Sequence, residues 1–304
     1  MTRLDFVPPK DFPFSLGSRL TLGTAILNDG YGLFPGYKPL TQFEKSNFLM
    51  FANDLGILQF DTAPSYGAAE KLIGGTFNGD KKFRVTSKIS RDSCISFPLL
   101  LQSVLNSLDQ LGLTLLDSVL LHDALVLRGD SGVDVYKWMI EILEMGLVGE
   151  IGVSVYSAEE VLWVKQKFPR FSVFQLPESV MGRNEINRDE LTDLYQQGNR
   201  LEVRSIFLQG LLLSNLSDLP VFFKPVKNVL GEFWKACKRD NILPLEACVL
   251  YAKSIPWAST VVVGAQDRIQ LEEIVEALRS TKRIDFTRYP ILPEHFLDPR
   301  NWQI

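Results

Sequence analysis

The stretch GILQFDTAPSYG, residues 56–67, joins an apolar run to a short polar loop. Residues 57–61 have the length and apolar character of a buried strand, and a carboxylate, Asp61, and a phenol, Tyr66, follow closely. A free phenol has a pKa of about 10, so it donates a proton at neutral pH only where positive charge stabilises its anion. The stretch therefore predicts a strand that leads into a chemically useful loop, provided that another part of the chain supplies a cation.

Short apolar runs alternate with amphipathic stretches along the rest of the chain, which is the pattern of βαβ units. The predicted strands are 19–24, 57–61, 83–88, 118–122, 149–154, 171–176, 201–206 and 259–264. The predicted helices are 41–55, 67–77, 98–111, 135–145, 158–168, 188–197, 244–254 and 270–279. Eight such pairs without a linker or a break in composition predict an α/β fold, a single-domain (β/α)₈ TIM barrel.

This barrel is expected to take up residues 1–304, with a lead-in at 1–17 and a C-terminal tail at 282–304 near the substrate pocket. The alternative is a doubly wound open sheet. It is disfavoured because no G-x-G-x-x-G follows the first strand and opens a helix.

Composition narrows the possible partners. Hydrophobic residues make up 46% of the chain, the formal net charge is −4 and the pI is near 5.4, so nucleic acid is not an expected partner. The cysteines Cys94, Cys237 and Cys248 lack CxxC spacing, which predicts neither a disulfide framework nor a metal site and favours the cytoplasm. We expect no signal peptide and no membrane span, because long apolar runs are missing.

Ionisable residues lie at the predicted ends of neighbouring strands. Asp61 ends the second strand, Lys88 the third and His122 the fourth, while Tyr66 follows the second. Each alone could be a helix cap, a solvated strand end, a core histidine or a half-buried aromatic residue. Together they meet at one end of a barrel, and buried polar groups need one another or a ligand.

The order of these four residues, in the text FDTAPSYG, VTSK and LLHD, resembles the catalytic tetrad of the aldo-keto reductase superfamily. GVS at 152–154, Gln175 and VVGA at 262–265 extend the resemblance, which runs from about residue 18 to residue 280. It implies an NAD(P)(H)-dependent oxidoreductase that interconverts an alcohol and a carbonyl, either an aldehyde, a ketone or a sugar-derived carbonyl. Two alternatives stay open: a cofactor-binding regulatory or interaction subunit with negligible turnover, and a TIM-barrel lyase or aldolase in which Lys88 forms a Schiff base.

The resemblance implies a role for each member of the tetrad. Tyr66 is the expected general acid/base, and Lys88 favours its anion. Asp61 is expected to hold the Lys88 ammonium by a charge-assisted hydrogen bond, and His122 to orient the substrate carbonyl.

The resemblance also assigns the cofactor site. Ser154 and Gln175 are expected at the nicotinamide carboxamide, and the loop and helix after Gly264 at the pyrophosphate and adenosine. The expected cofactor contacts are Gly23, Thr24, Asp61, Ser154, Gln175, Arg204, Ser205, Gly264, Ala265, Gln266, Gln270 and Glu273. NADP(H) is the family expectation, NAD(H) is not excluded, and no metal is expected.

Two departures from the family pattern affect the cofactor. Arg204 stands where many members have an aromatic residue that stacks on the nicotinamide, and its fixed charge predicts a bias toward the reduced cofactor. The last loop lacks a Lys near Gly264, an Arg near Gln270 and an Asn near Ile274, which leaves Arg268 or a lysine from elsewhere as the candidate partner of a 2′-phosphate.

Segments 28–37, 124–132 and 286–304 are candidate walls of the substrate pocket. Their aromatic residues form either an apolar or sugar-stacking rim or ordinary packing contacts: Tyr31, Phe34, Tyr37 and Trp302. The text RSIFLQGLL, residues 204–212, resembles reductases encoded with bacterial surface-sugar enzymes. The expected partner is therefore a small-molecule carbonyl or sugar substrate, and we expect a monomer or weak oligomer.

Overall fold

The computed structural model describes residues 19–28, 40–77, 82–183 and 187–302. Its eight strands are parallel and form a closed barrel in which each strand pairs with its neighbours in chain order. They are β1 (Leu20–Gly23), β2 (Gln59–Asp61), β3 (Arg84–Ile89), β4 (Leu116–Leu121), β5 (Val148–Ser154), β6 (Val173–Pro177), β7 (Arg200–Arg204) and β8 (Thr260–Val263). The predicted (β/α)₈ TIM barrel is confirmed.

Nine α-helices lie among the described residues, on the outside of the barrel. They are α1 (Gln42–Asp54), α2 (Ala69–Phe77), α3 (Phe97–Leu111), α4 (Gly132–Glu144), α5 (Ala158–Lys167), α6 (Arg188–Gln196), α7 (Lys227–Arg239), α8 (Pro244–Ser254) and α9 (Arg268–Arg279). Helix α7 is not among the predicted helices. Its inward residues Leu230, Phe233 and Cys237 follow the i, i+3, i+7 spacing that could have revealed it.

Local chemistry explains where several elements begin and end. Thr41 lies outside α1 as its N-cap, because its hydroxyl accepts a hydrogen bond from the N–H of Glu44 while the Glu44 carboxylate accepts from the N–H of Thr41. The prediction carried β7 to residue 206, whereas the strand ends at Arg204. The φ of Ser205 is 62°, and left-handed backbone cannot continue a strand.

The barrel interior is polar near the carboxyl ends of the strands, while apolar residues fill the layer between strands and helices. Gln175 and Glu202 are almost fully buried, and so is Lys88. Gly152 on β5 lets β6 approach closely, since a Cβ at this position would lie 1.9 Å from the carbonyl oxygen of Val173. The fold thus brings charged groups into one enclosed space at the end of the barrel where active sites of this fold lie.

Candidate active site

One cavity of about 850 Å³ opens at the carboxyl ends of the strands. Its wall is formed by Gly23, Ala25, Ile26, Asp61, Tyr66, Lys88, His122, Ser154, Tyr156, Gln175, Arg204, Ser205, Ile206, Phe207, Gln209, Gly210, Leu213, Ser214, Asn215, Asp218, Val262, Val263, Gly264, Gln266, Gln270 and Pro299. The four predicted catalytic residues are therefore neighbours on one wall.

A chain of hydrogen bonds connects three of them. Lys88 Nζ donates to Asp61 Oδ1 at 2.5 Å and to Tyr66 Oη at 3.4 Å. Burial acts to lower the pKa of Lys88, but Asp61 and Tyr66 together outweigh it through charge and hydrogen bonding, so the pKa lies above its ordinary value. A charged ammonium therefore lies beside the phenolic oxygen of Tyr66.

His122 follows β4 directly, and its N–H donates to the carbonyl oxygen of Ile89, which fixes its backbone beside the end of β3. Its ring meets the Tyr66 ring edge-on, with centroids 6.0 Å apart. Burial, together with the positive charge of Lys88, lowers the pKa of His122 to about 4. The imidazole is neutral at pH 7 and has one N–H to donate.

Ser154 ends β5, Gln175 lies in the middle of β6, and both are on the cavity wall. Gln175 Nε2 donates to Asp61 Oδ2 at 2.8 Å and to Glu202 Oε2 at 2.9 Å. No described residue forms a hydrogen bond with the Ser154 hydroxyl or with Gln175 Oε1. The pair thus presents a hydroxyl and a carbonyl oxygen to the cavity.

The loop after β7 has an unusual backbone. Ser205, Leu208 and Gln209 have φ values of 62°, 48° and 52°, a conformation that costs energy for residues other than glycine. None of the described residues accepts a hydrogen bond from the N–H of Ile206, Phe207 or Gln209, all on the cavity wall. The N–H of Leu208 donates to Ser205, so Ile206 and Phe207 are the consecutive pair, and free N–H groups on such a loop suit an anionic ligand.

Arg204 has protein partners of its own. Its guanidinium carbon lies 4.7 Å from the centroid of the Tyr156 ring, Nη2 donates to the carbonyl oxygen of Val155 at 2.9 Å, and Nη1 donates to the Ser205 hydroxyl. Arg300 contacts the same ring at 3.6 Å. Arg204 therefore lines the cavity with one edge while Tyr156 covers its plane.

The region after β8 is only partly on the wall. Gly264, Gln266 and Gln270 line the cavity, and the Gln270 side chain accepts from the N–H of Gln266 at 2.7 Å. Asp267 caps α9 through the N–H of Gln270. A carboxylate thus already occupies the N-terminus of this helix.

Three residues predicted to contact the cofactor do not line the cavity. Thr24 is buried and donates to the backbone oxygen of Asp61 at 3.0 Å, which ties β1 to β2. Ala265 is buried, and Glu273 is on the exposed face of α9. Strand order and spacing place them near the site but do not show which way each side chain points.

Arg268, the candidate 2′-phosphate partner, is directed elsewhere. Its guanidinium lies 5.0 Å from the Phe51 ring and donates to the carbonyl oxygen of Asn47, both on α1. It is not among the cavity-lining residues.

The predicted substrate walls are replaced in part by another segment. Pro299 of the tail lines the cavity, but residues 124–132 do not, and the loop at 205–218 takes the larger share. Trp302 is buried against Phe223, with ring centroids 5.2 Å apart, so it is a packing residue. Tyr31, Phe34 and Tyr37 lie outside the described residues.

Sequence analysis also missed Tyr156 and residues 206–218 as wall residues. The text at 204–212 indicates a class of reductases, but it does not show that this loop lies over the end of the barrel. Among the described parts of the chain, the three cysteines are free thiols, no cluster of three or more His, Cys, Asp or Glu could hold a metal, and no helix is long and apolar enough to cross a membrane.

Comparisons with known proteins identify the family. Residues 19–288 match the model of the aldo/keto reductase family. D-arabinose 1-dehydrogenase of Saccharomyces cerevisiae is 29% identical over 167 residues, 51% of this chain and 48% of that protein. Rhazimal reductase 2 of Alstonia scholaris is 32% identical over 131 residues, 35% of this chain and 40% of that protein. The matched part thus spans about half the length of these relatives or less.

Solved structures share the fold. An aldo-keto reductase of Bacillus halodurans superposes with a TM-score of 0.71 at 20% identity, covering 91% of this chain and 95% of that one. The glycerol dehydrogenase of Gluconobacter oxydans gives a TM-score of 0.69 at 19% identity, covering 97% of each chain.

Proposed function

The chain belongs to the aldo/keto reductase family, and from that premise we propose that it is an NAD(P)(H)-dependent oxidoreductase in which Tyr66 is the general acid/base. The observation that carries the proposal is the connected set Asp61, Lys88 and Tyr66 beside a neutral His122 on one cavity wall. This arrangement supplies a proton donor, a cation that stabilises its anion and a second donor for a carbonyl oxygen.

In the direction of reduction, the residues act on the carbonyl oxygen. A reduced nicotinamide held by Ser154 and Gln175 would supply a hydride to the carbonyl carbon. As negative charge develops on the oxygen, Tyr66 transfers its proton and the Lys88 ammonium, 3.4 Å from Oη, stabilises the phenolate. His122 donates a hydrogen bond to the same oxygen without itself carrying charge. Asp61 keeps the ammonium at its position.

Several features fit a dinucleotide. The cavity has room for one, and the free N–H groups of Ile206, Phe207 and Gln209 suit its pyrophosphate. The Ser154 hydroxyl and Gln175 Oε1 match the carboxamide, which has one acceptor and two N–H donors. NADP(H) remains the family expectation and NAD(H) a candidate. The engagement of Arg268 with α1 removes one support for NADP(H), so the affinities for both need to be measured.

The lyase alternative is less well supported. Schiff-base formation needs a neutral amine, whereas Lys88 is buried against Asp61 at 2.5 Å and its pKa is raised. The regulatory alternative predicts the same arrangement of Asp61, Lys88, Tyr66 and His122. It differs from the enzyme only in its turnover rate.

The experiment compares wild type, Tyr66→Phe and Tyr136→Phe. Tyr136 lies outside the cavity, where its hydroxyl accepts from the N–H of Arg170. Reduced cofactor is mixed with a panel of aldehydes and ketones, and oxidised cofactor with aldopentoses and polyols, because relatives are named for D-arabinose and glycerol. Absorbance of the reduced cofactor reports turnover, and calorimetry reports its binding.

We expect turnover to fall about 10²- to 10⁴-fold in Tyr66→Phe, with cofactor affinity and the Tyr136→Phe control unchanged. Tight binding without turnover by wild type would favour the regulatory subunit. Equal turnover in Tyr66→Phe and wild type would exclude Tyr66 as the proton donor.

The composition adds further predictions about the protein's setting. We predict a cytoplasmic location from the cysteine pattern, no nucleic-acid partner from the net charge of −4, and a single domain from the continuous strand–helix pattern. A monomer or weak oligomer is our expectation for the assembly. Size-exclusion chromatography with light scattering measures the oligomeric state.

A further inference from the structure

One primary amide in the barrel lies between two carboxylates. Gln175 Nε2 is 2.8 Å from Asp61 Oδ2 and 2.9 Å from Glu202 Oε2, and all three side chains are buried to 96% or more, with exposures of 1%, 4% and 2%. Asp61 also holds Lys88. Glu202 contacts neither Lys88 nor Tyr66 through any hydrogen bond or ion pair of the described residues, so the tetrad does not account for it.

Chemistry fixes the orientation of this amide. A carboxylate is an acceptor only, and the amide nitrogen has two hydrogens, one for each carboxylate. An amide oxygen in the same place would face two acceptors and no donor. The Gln175 nitrogen therefore points to Asp61 and Glu202, and Gln175 Oε1 is left to accept a hydrogen bond from a ligand.

Glu202 is itself held in place from the amino end of the barrel. Arg200 Nε lies 3.1 Å from Glu202 Oε1 as an ion pair, and Arg200 also pairs with Asp117 at 2.8 Å and Glu150 at 2.6 Å. One carboxylate oxygen of Glu202 thus faces a cation and the other faces the Gln175 amide. Burial raises the pKa of Glu202 and Arg200 opposes the rise, so an alkaline buffer favours the carboxylate.

We infer that Glu202 is a positioning residue, which holds the Gln175 amide so that its oxygen selects a ligand with an N–H donor, the carboxamide of the nicotinamide. The inference rests on the proposed function, since it requires a dinucleotide in the cavity. It adds a specificity determinant on β7 that is not itself among the residues of the cavity wall.

The variant Glu202→Gln tests this with almost no change in shape. Arg200 is a donor only, so the new amide turns its oxygen to Arg200 and its NH₂ to Gln175. The NH₂ of the new Gln side chain at position 202 then faces the NH₂ of Gln175, and two donors cannot bond to each other. The Gln175 amide therefore either turns over or loses its hydrogen bond to residue 202. Glu150→Gln is the matched control, because it removes another carboxylate from Arg200 and leaves Gln175 untouched.

The readout is binding, with probes that differ in the donor alone. Calorimetric titration at pH 8 compares NADP⁺ with its 3-acetylpyridine analogue, and NAD⁺ with its own, since an acetyl group keeps the carbonyl and lacks the N–H. For wild type we expect the analogue to bind about tenfold more weakly, as a buried acceptor is left without a donor. The ratio of the two dissociation constants, analogue over natural dinucleotide, should fall to about twofold in Glu202→Gln and stay near tenfold in Glu150→Gln.

If Glu202→Gln does not fold, Glu202→Met removes the acceptor without adding a donor, and the ratio should fall at least twofold. A ratio equal to that of wild type in a folded Glu202 variant overturns the inference. An equal fall in Glu150→Gln also overturns it, because the effect would then belong to the Arg200 cluster. If wild type binds no dinucleotide, the proposed function fails and the inference with it.

Discussion

The buried ion pair of Lys88 and Asp61 allows a quantitative test of how the site is stabilised. At 2.5 Å and an effective dielectric constant of about 20, the attraction is about 7 kcal/mol, while taking each ion out of water costs several kcal/mol. For the pair, the attraction therefore roughly offsets the cost of removing both ions from water. A single buried ion has that cost with no attraction to offset it. Lys88→Met or Asp61→Asn should each lower the unfolding free energy by about 3–5 kcal/mol.

The double variant should be no less stable than either single variant, because neither ion of the pair is left buried without its partner. The coupling energy in a double-mutant cycle is then at least about 3 kcal/mol. Urea unfolding followed by fluorescence and circular dichroism measures it, with coincident curves as the check of two-state behaviour. The singles should melt roughly 6–10 °C lower, at about 2 °C per kcal/mol.

The exposed pair Lys235–Glu232 is the control, with the same charge types at 2.8 Å and side chains 75% and 60% exposed. The double-mutant cycle on this exposed pair should give a coupling energy of less than about 1 kcal/mol. If the Lys88 and Asp61 effects add within about 0.5 kcal/mol, the two ions do not depend on each other and the reasoning is refuted.

Three further predictions concern single positions. The pKa of His122 is lower in the folded chain, about 4, than its ordinary value of 6.5, so the unfolded chain binds the proton more readily and the unfolding free energy falls as the pH drops through this window, by about 3 kcal/mol. His122→Asn should flatten that slope, and equal slopes between pH 6.5 and 4 would contradict it. Arg204→Leu should narrow the preference for reduced over oxidised cofactor, measured by calorimetry at low salt; affinities equal to those of wild type for both forms would remove the idea. Gly152→Ala should cost 3 kcal/mol or more or prevent folding, because the new Cβ would lie 1.9 Å from the Val173 oxygen; a melting temperature near that of wild type would show that β5 and β6 can separate.

Much of the fold and the tetrad could be read from the chain because both depend on local order. Short apolar runs alternate with stretches of helical period, and parallel strands in a barrel all end at one face. Asp61, Lys88 and His122 each end or follow a strand, so their meeting at that face follows from topology alone. Element ends were less predictable, since a cap at Thr41 or a positive φ at Ser205 moves them by one or two residues.

Contacts between distant strands could not be read in this way. Gln175 meets Asp61 across 114 positions of sequence and Glu202 across 27, and an isolated Glu in an apolar strand looks the same whether or not it binds an amide. Side-chain rotamers likewise decide that Arg204 points to Tyr156 and Arg268 to α1. Backbone angles decide which N–H groups of the loop after β7 stay free. Strand order follows from local periodicity. Hydrogen-bond partners, in contrast, depend on differences of a few tenths of an ångström in the distances between residues that only the closed barrel brings together.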